Sequence, residues 1–585
     1  MDQPELLDAS VVRAWARVAT DALAAARSEL DGVNVFPVAD GDTGTNMYLT
    51  VREAGAAIHD ADAGAGGARL LRLGARAALL QARGNSGVIL SEWLRGLALA
   101  ASRRDSLAVG LDVAARSARQ AVAHPAAGTI LTAADSAAAA ARHAEAGGMV
   151  GPLGAPARLT VLEAARRGAR EAALRSVGTL APLRAAGVLD AGACGLLLVL
   201  TSLAAAQRHA TSAPVSEADG TIGPVLLDLD LRGYTPAADT ADGSPDGASA
   251  GRWTGAPSHD HEHTGGPSDE LELMFVLHRA ADAAGFRPGA VADALRADLD
   301  EVGNSVVVVG GGAGDATGED VESLWQAHVH TQDLDAALEV TRRWSGRGAV
   351  SRVHVRHLAV PPADWAVVAS TSAPALAVEL ASGGAVVLLD LDVPPTVEDL
   401  AHSALGAGTP HVLVLAPSSV LDGTGLRDVI AGLAGRDGLA EDAVEPPDVV
   451  VVPAQEDVHL VTAVSALAGA VDAAGPAGAD VPGVVREALT RLRAARVPAG
   501  EAVGELGRLT TDLAGTPGIV ALLPDLDVPA DAVDALVAQA TTVAAGADVV
   551  VLPTGRVGGQ VGIGVEPLDD PGDETAIGAL SGEAW

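Results

Sequence analysis

The chain has 585 residues, with 39 basic against 75 acidic side chains and a net charge of −36. All 39 basic residues are arginine, which excludes a Walker A lysine and the strand lysine of protein kinases, because both place an ammonium on the phosphates. The acidic residues are spread along the whole chain, so no basic footprint for nucleic acid is left.

One cysteine, Cys194, rules out an internal disulfide and fits a reducing cytoplasm. It lies in an apolar run, where a buried, inert thiol is expected. The start, Met-Asp-Gln-Pro-Glu, lacks the apolar stretch of a signal peptide. The apolar runs are alanine-rich and broken by charges, short of the ~20 residues that a membrane span needs.

Residues 1–208 read as helical. Apolar residues recur at three- and four-residue spacing, and the breaks carry Gly, Pro, Asp or Asn. Helices are predicted near 10–30, 44–61, 66–82, 86–103, 105–123, 129–146, 157–176 and 191–208. Eight helices of similar length imply an all-α bundle or barrel with its chemistry in the loops at one end.

Residues 209–268 read as a flexible linker, with one short strand expected at 225–231. The rest is mostly Gly, Pro, Ser, Thr, Ala and Asp, too poor in apolar surface to offset ordering entropy. Within it, His259-Asp-His261-Glu-His263 reads as a solvated run.

Two α/β domains are expected next, at 269–360 and 361–585, divided at Pro361-Pro362. Strands are predicted at 306–309, 327–330, 367–369, 386–389, 412–415, 449–452, 520–523 and 549–552, with helices such as 484–496 and 530–545 between them.

The most specific stretch is Asn34-Val-Phe-Pro-Val-Ala-Asp40-Gly-Asp42-Thr43-Gly44-Thr45-Asn46-Met47. Two carboxylates stand one glycine apart. Small residues with free amides follow and open a helix. Hard oxygen ligands beside a helix N-terminus suit magnesium and phosphate held together. Three more small-residue turns open helices: Gly84-Asn85-Ser86-Gly87, Gly128-Thr129-Ile130-Leu131 and Asp190-Ala-Gly-Ala193. Singly each reads as a turn and cap. Together the four can gather at one end of the bundle.

Residues 1–208 resemble the L-domain of dihydroxyacetone kinases, in the version found in the ATP-binding subunit of bacterial fatty acid kinase. The matching motifs are residues 34–47, Ala-Arg-Gly-Asn-Ser-Gly-Val-Ile-Leu at 82–90, His-Pro-Ala-Ala-Gly-Thr-Ile-Leu-Thr at 124–132 and Ala-Gly-Val-Leu-Asp-Ala-Gly at 186–192. Ala39 stands where the family usually has proline. The resemblance implies an eight-helix barrel carrying ATP or ADP through magnesium, two ions in all. Asp40 and Asp42 would be ligands, with Asn34 beside them. Thr43, Gly44, Thr45, Asn46, Asn85, Ser86 and Gly87 would meet phosphate, and Thr129, Leu131 and Asp190 would line the nucleotide.

The middle region resembles the family more loosely, through Val302-Gly-Asn-Ser-Val-Val-Val-Val-Gly310 and His328-Val-His330-Thr331. Residues two apart on a strand share a face, so both imidazoles can meet one metal or substrate. The resemblance makes His328 and His330 catalytic. It also pairs them with a cysteine from an earlier strand. Glu270-Leu-Glu-Leu-Met-Phe275 holds none, which argues against zinc. The last region resembles the family's module akin to the lipid-binding partner, through Gly558-Gly-Gln560 and Gly564-Val-Glu566. Departures stand at Asp390-Leu-Asp-Val-Pro-Pro-Thr396 and Pro417-Ser-Ser419.

The implied activity is transfer of the ATP γ-phosphoryl to a fatty acid carboxylate held by a separate carrier protein, in a cytoplasmic homodimer. The alternatives are a nucleotide-binding scaffold without catalysis, and a kinase acting on a small hydroxyketone such as dihydroxyacetone.

Overall fold

The computed structural model describes residues 5–147, 155–212, 222–234, 270–279, 288–311, 323–358, 364–417, 425–435, 447–474 and 480–568. The histidine run 259–263 lies outside them. The first region is helical: α1 (Ala9–Asp31), α2 (Thr43–Asp60), α3 (Gly67–Gln81), α4 (Gly84–Ser102), α5 (Leu107–Ala121), α6 (Ile130–Ala146), α7 (Ala155–Thr179), the short α8 (Ala181–Ala186) and α9 (Ala191–Ser212).

Each long helix packs on the next, and α9 packs back on α1, closing a ring. Alanine and glycine make the close approaches. A Cβ on Gly96 of α4 would come 2.7 Å from the Ala114 Cα of α5. The apolar stripes fill one interior with Leu23, Met47, Leu90, Leu111, Leu162 and Leu200. α9 is by length and composition apolar enough to cross a membrane, but most of its residues, Cys194 included, are buried in this core.

Successive helices in such a ring run in alternating directions. The second, fourth, sixth and last long helices therefore start at the same end. Those are the four helices that the small-residue turns precede.

The expected strand at 225–231 is instead extended chain with one isolated bridge beside it, Val188 to Arg232. Ile222, Val225, Leu227 and Leu229 pack on the helical core there. Docking on the helices, and not pairing with a neighbouring strand, takes up these apolar side chains.

Mixed α/β structure follows. One eight-stranded sheet is built from β1 (Leu271–Arg279), α10 (Pro288–Asp300), β2 (Asn304–Gly310), β3 (Ser323–Thr331), α11 (Leu334–Ser345), β4 (Ala349–His357), β5 (Trp365–Thr371), α12 (Pro374–Ser382), β6 (Ala385–Leu389), α13 (Val397–Leu405), β7 (His411–Ala416), α14 (Gly425–Gly435), β8 (Asp448–Pro453) and α15 (Asp457–Ala474). Its order is β2-β3-β1-β4-β6-β5-β7-β8, antiparallel up to the β4–β6 pair and parallel beyond. The sheet thus runs on past Pro361-Pro362. A second sheet, β11-β10-β12-β9, comes from α16 (Val481–Arg491), β9 (Arg493–Pro498), α17 (Ala502–Asp512), β10 (Pro517–Pro524), α18 (Ala530–Val543), β11 (Asp548–Val551) and β12 (Gln560–Pro567). The helix expected over 484–496 ends at Arg491, and the Arg- and Ala-rich 493–498 is a strand paired with β12.

The two-residue period of the large sheet positions the site. On β1, β3 and β4, Leu273, Phe275, Ala327, Val329, Val353 and Val355 face the core shared with α10, α11 and α12. The even-numbered residues face the helical ring. Gln326 donates to Ala82 O at 2.7 Å, and Arg352 to Leu80 O at 2.7 Å, so this face is docked on the end of α3. The same face carries Glu272, His328, His330, His354 and Arg356.

Candidate functional site

Four helix starts meet at one end of the ring. A Cβ on Gly84, which opens α4 at φ +54°, would sit 2.3 Å from Asn46 Nδ2 in the first turn of α2. A Cβ on Gly195 in α9 would meet Met47 Sδ, in the first turns of α2, at 2.4 Å. One on Gly192 would approach Ile130 Cβ, at the start of α6, to 3.2 Å. Four helix N-termini with aligned dipoles are thus set side by side, an environment that favours anions.

The acidic loop lies across this end. Gly41 takes φ +67°, a left-handed conformation that costs a glycine nothing, and so turns the chain between Asp40 and Asp42. Asn34 Nδ2 donates to Asp40 Oδ1 at 2.6 Å. Thr43 Oγ1 and Ser86 Oγ stand 3.4 Å apart, joining the first two turns. Asp31, at the end of α1, accepts from Thr45 N at 2.9 Å and from Thr45 Oγ1 at 2.7 Å. Thr45 is therefore committed to seating α2.

The sheet closes the loop from the other side. Arg356 Nη2 donates to Asp42 Oδ2 at 2.7 Å and stands 3.5 Å from Asp40 Oδ2, while its Nε donates to Glu272 Oε2. Glu272 Oε1 is 3.1 Å from His328 Nδ1, and the His328 and His330 ring centroids are 4.8 Å apart. Glu272 and His330 are direct partners in the β1–β3 register. A small cavity is lined from both sides, by Asn34, Asp40, Asp42, Thr43, Asn46, Asn85 and Ser86 and by Glu272, His330 and Arg356. A larger cleft of about 360 Å³ opens beside it, also reached by Asp40, Asp42 and Arg356.

Burial and the neighbouring Asp42 carboxylate push Asp40 up to about 8. Burial would also raise Glu272, but Arg356 and His328 outweigh it and hold the carboxyl well below its usual range. Burial, then the adjacent His328, takes His330 down to about 3, so this imidazole is neutral at pH 7. Three carboxyl groups thus crowd one guanidinium and neutral His330, and the raised Asp40 marks a crowding of negative charge that a divalent cation would relieve.

Thr129, Leu131 and Asp190 lie at the starts of α6 and α9 but line neither of the two cavities. Thr129 caps α6 through Leu131 N at 3.4 Å, and Leu131 is buried in the helical core. Asp190 accepts from Ala193 N at 2.7 Å, tying the start of α9 down. Burial pushes its carboxyl up to about 7.

Glu272, Arg356 and Asp31 were missed by sequence reasoning. Glu272 lies inside the Glu270–Phe275 stretch that the search for a cysteine passed over. A carboxylate two residues from Glu270 on a strand opposite His-Val-His was the available signal. Arg356 and Asp31 left none, since each becomes local only after folding.

Residues 37–205 match the family model described as DAK2 domain, and residues 270–360 match the one that describes the middle domain of FakA-like fatty acid kinase proteins. A DAK2 domain thus fills most of the helical region, defining a kinase-related chain. A FakA-like middle domain follows it, in keeping with the resemblance drawn from the motifs.

Protein YloV of Bacillus subtilis is 36% identical over 194 residues, 32% of this chain and 33% of that protein. An uncharacterized protein of Staphylococcus aureus (strain USA300) is 33% identical over 196 residues, 32% of this chain and 34% of its own. The match therefore spans about a third of these relatives' length. Among solved structures, the dihydroxyacetone kinase of C. freundii in complex with AMP-PNP and Mg2+ covers 35% of this chain and 35% of its own at 18% identity and a TM-score of 0.27. The Streptococcus pneumoniae fatty acid kinase B3 protein loaded with linoleic acid covers 34% of this chain and 99% of its own at 10% identity and a TM-score of 0.25.

Proposed function

We propose that this chain is the ATP-binding catalytic subunit of a two-component kinase. It moves the γ-phosphoryl of ATP to the carboxylate of a fatty acid presented by a separate lipid-carrier protein. The acceptor oxygen forms a bond to the γ-phosphorus, the bond to the β,γ-bridging oxygen breaks, and ADP leaves with that electron pair. An acyl phosphate results. An ionised carboxylate is already a nucleophile, so no strong general base is required.

The observation that carries this reading is the convergence of the α2 and α4 N-termini on the small cavity that Asp40 and Asp42 line, in a chain without lysine. Phosphoryl transfer needs positioning and charge neutralisation more than covalent help. Thr43, Gly44, Asn46, Asn85, Ser86 and Gly87 supply amides, hydroxyls and side-chain dipoles for the phosphates. Asp40 and Asp42 would hold magnesium, with Asn34 fixing the Asp40 rotamer. Their fit rests on two carboxyl groups lining one small cavity, where burial and the Asp42 charge leave Asp40 raised. Magnesium supplies neutralisation of the phosphate oxygens.

Glu272, His328 and His330 form a second donor set. Their ligand atoms all lie within 4.8 Å of one another. His328 Nε2 and His330 Nδ1 are buried without a hydrogen bond, and Glu272 Oε1 stands 3.1 Å from His328 Nδ1. One oxygen and two imidazoles suit zinc or another first-row ion. The expectation against zinc rested on a missing cysteine, and a carboxylate from β1 stands ready in its place. His328 and His330 would orient the acceptor through that centre.

The region beyond residue 361 would bind the carrier. A homodimer, a cytoplasmic location and the absence of nucleic-acid binding complete the proposal.

The test is ATP consumption by the purified chain with carrier loaded with fatty acid, comparing wild type with Asp40→Ala. Carrier-dependent turnover that Asp40→Ala abolishes supports the kinase. Nucleotide binding without carrier-dependent turnover points to the scaffold.

A further inference from the structure

Arg356 crosses from the sheet to the helical ring, and nothing in the kinase reading has used it. It lies on β4, 316 residues beyond Asp40 in sequence (356 − 40). Its guanidinium nonetheless contacts Asp42 at 2.7 Å, Asp40 at 3.5 Å and Glu272. It also lines the small cavity that Thr43, Asn85 and Ser86 line from the opposite side. A planar fork of five donors in that position matches the tetrahedral oxygens of a phosphoryl group.

Two neighbouring arginines are engaged elsewhere. Arg52 pairs with Glu53 at 2.8 Å, and Arg352 with Asp399 at 3.0 Å. Arg83 also lines the larger cleft, but it lies against Gly406 and no ion pair joins it to Asp40 or Asp42 among the described residues. Arg356 is the cation that reaches both aspartates among the described residues. Glu272 grips its Nε edge, which leaves the Nη edge directed at the acidic loop. A buried carboxylate that orients one edge of a guanidinium while the other meets the reacting group is a preorganised charge.

We infer that Arg356 is a catalytic residue of the phosphoryl transfer, its Nη edge donating to the γ-phosphoryl oxygens as charge develops there. This rests on the kinase reading above. Arg356 moves no proton. It stays a cation while the acceptor oxygen bonds to the γ-phosphorus and the bridging oxygen departs with ADP. Its partners change: phosphoryl oxygens replace Asp42 at the Nη edge, and Glu272 stays. The middle domain thus completes the site of the helical domain, and a helical domain alone would hold nucleotide without transferring phosphate.

The test compares wild type, Arg356→Gln and Arg356→Lys as full-length chains, after circular dichroism and thermal unfolding show that each is folded. Calorimetry measures ADP with magnesium, then ADP with magnesium and aluminium fluoride, which mimics the transferring group. Carrier-dependent turnover is read in parallel. The inference expects ADP affinity within about threefold of wild type for Arg356→Gln, with the fluoride complex at least ~100-fold weaker. It expects kcat to fall by about 10³ with the KM for ATP nearly unchanged, on the scale of arginine contacts to transferring phosphate. Arg356→Lys should recover part of kcat, because it restores charge without the fork.

Equal loss of ADP and fluoride-complex affinity would make Arg356 a structural clamp and overturn the assignment. So would an unaltered fluoride complex. Wild type that ignores ADP and magnesium would instead sink the kinase reading and this inference with it.

Discussion

The helical ring and the sheet that covers it contribute to one site in opposite ways. The ring brings its groups in contiguous runs: Asp40 to Asn46 in seven residues, Gly84 to Gly87 in four. The sheet brings Glu272, His328, His330 and Arg356 from three strands spread over more than eighty residues. The ring offers backbone amides and dipoles, which phosphate needs and which any small residues supply. The sheet offers side chains whose meeting depends on strand register. Phosphate handling is thus written locally, while the charge that completes it is assembled by topology.

Beside the Arg356 variants, the largest effect should come from the ring. Asp42→Ala removes one half of the carboxylate pair and the Arg356 contact at 2.7 Å. Steady-state assays should show turnover reduced by about 10² to 10³, the scale of losing one preorganised electrostatic partner. Turnover within about threefold of wild type would move the metal site elsewhere.

The seam between the halves comes next. Glu53 on α2 pairs with Arg52 at 2.8 Å and lies 3.4 Å from His402 on α13. Burial would raise its carboxyl, but the His402 and Arg52 interactions outweigh this and lower it to about 2. The folded value lies below the unfolded one. Its contribution is therefore present above about pH 4.5 and is lost as pH falls through 2. Glu53→Gln removes the charge that faces Arg52 and His402 and should cost about 3 kcal/mol at pH 7. Chemical denaturation at pH 7 and at pH 3 should show the deficit shrinking toward acid. A constant deficit would mean that the pair does not set it.

A third variant probes how α2 is seated. A Cβ on Gly44 would lie 2.3 Å from Arg27 O and 2.8 Å from Leu30 Cβ, both on α1. Backbone cannot yield as a flexible side chain does. Gly44→Ala should therefore cost about 2 kcal/mol, read by denaturant titration. An unchanged midpoint would show the two helices to be looser than described.

The smallest effect is expected from the sheet's anchor. Glu272→Gln keeps the shape but weakens the grip on Arg356 and His328. Turnover should fall about tenfold with ADP affinity preserved, as for a residue that orients another. Loss of ADP binding would place Glu272 in the ring's share of the work.

What the sequence revealed follows the same division. The eight long helices were legible because amphipathic spacing and Gly, Asp or Asn breaks are local signals. The acidic loop and the three other turns were legible for the same reason. Four strands were not foreseen. β1 and β4 carry Glu272, His354 and Arg356 on the face that docks on the ring, so their polar residues point inward and blur the usual alternation. Arg493–Pro498 is rich in Arg and Ala, which favour helix, until pairing with β12 overrides them. β12 itself, Gln560–Pro567, is interrupted by Gly562 and Gly564, which fit where Leu523 and Val458 press close. Glu272 became a site residue only once β1 was set against β3.

The most direct measurement is calorimetric titration of the full-length chain with ADP, with and without magnesium, at pH 7. The account predicts one nucleotide per chain, bound at least ~tenfold more tightly with magnesium, with that dependence gone in Asp42→Ala. A chain that binds ADP equally with and without magnesium, or not at all, would contradict it.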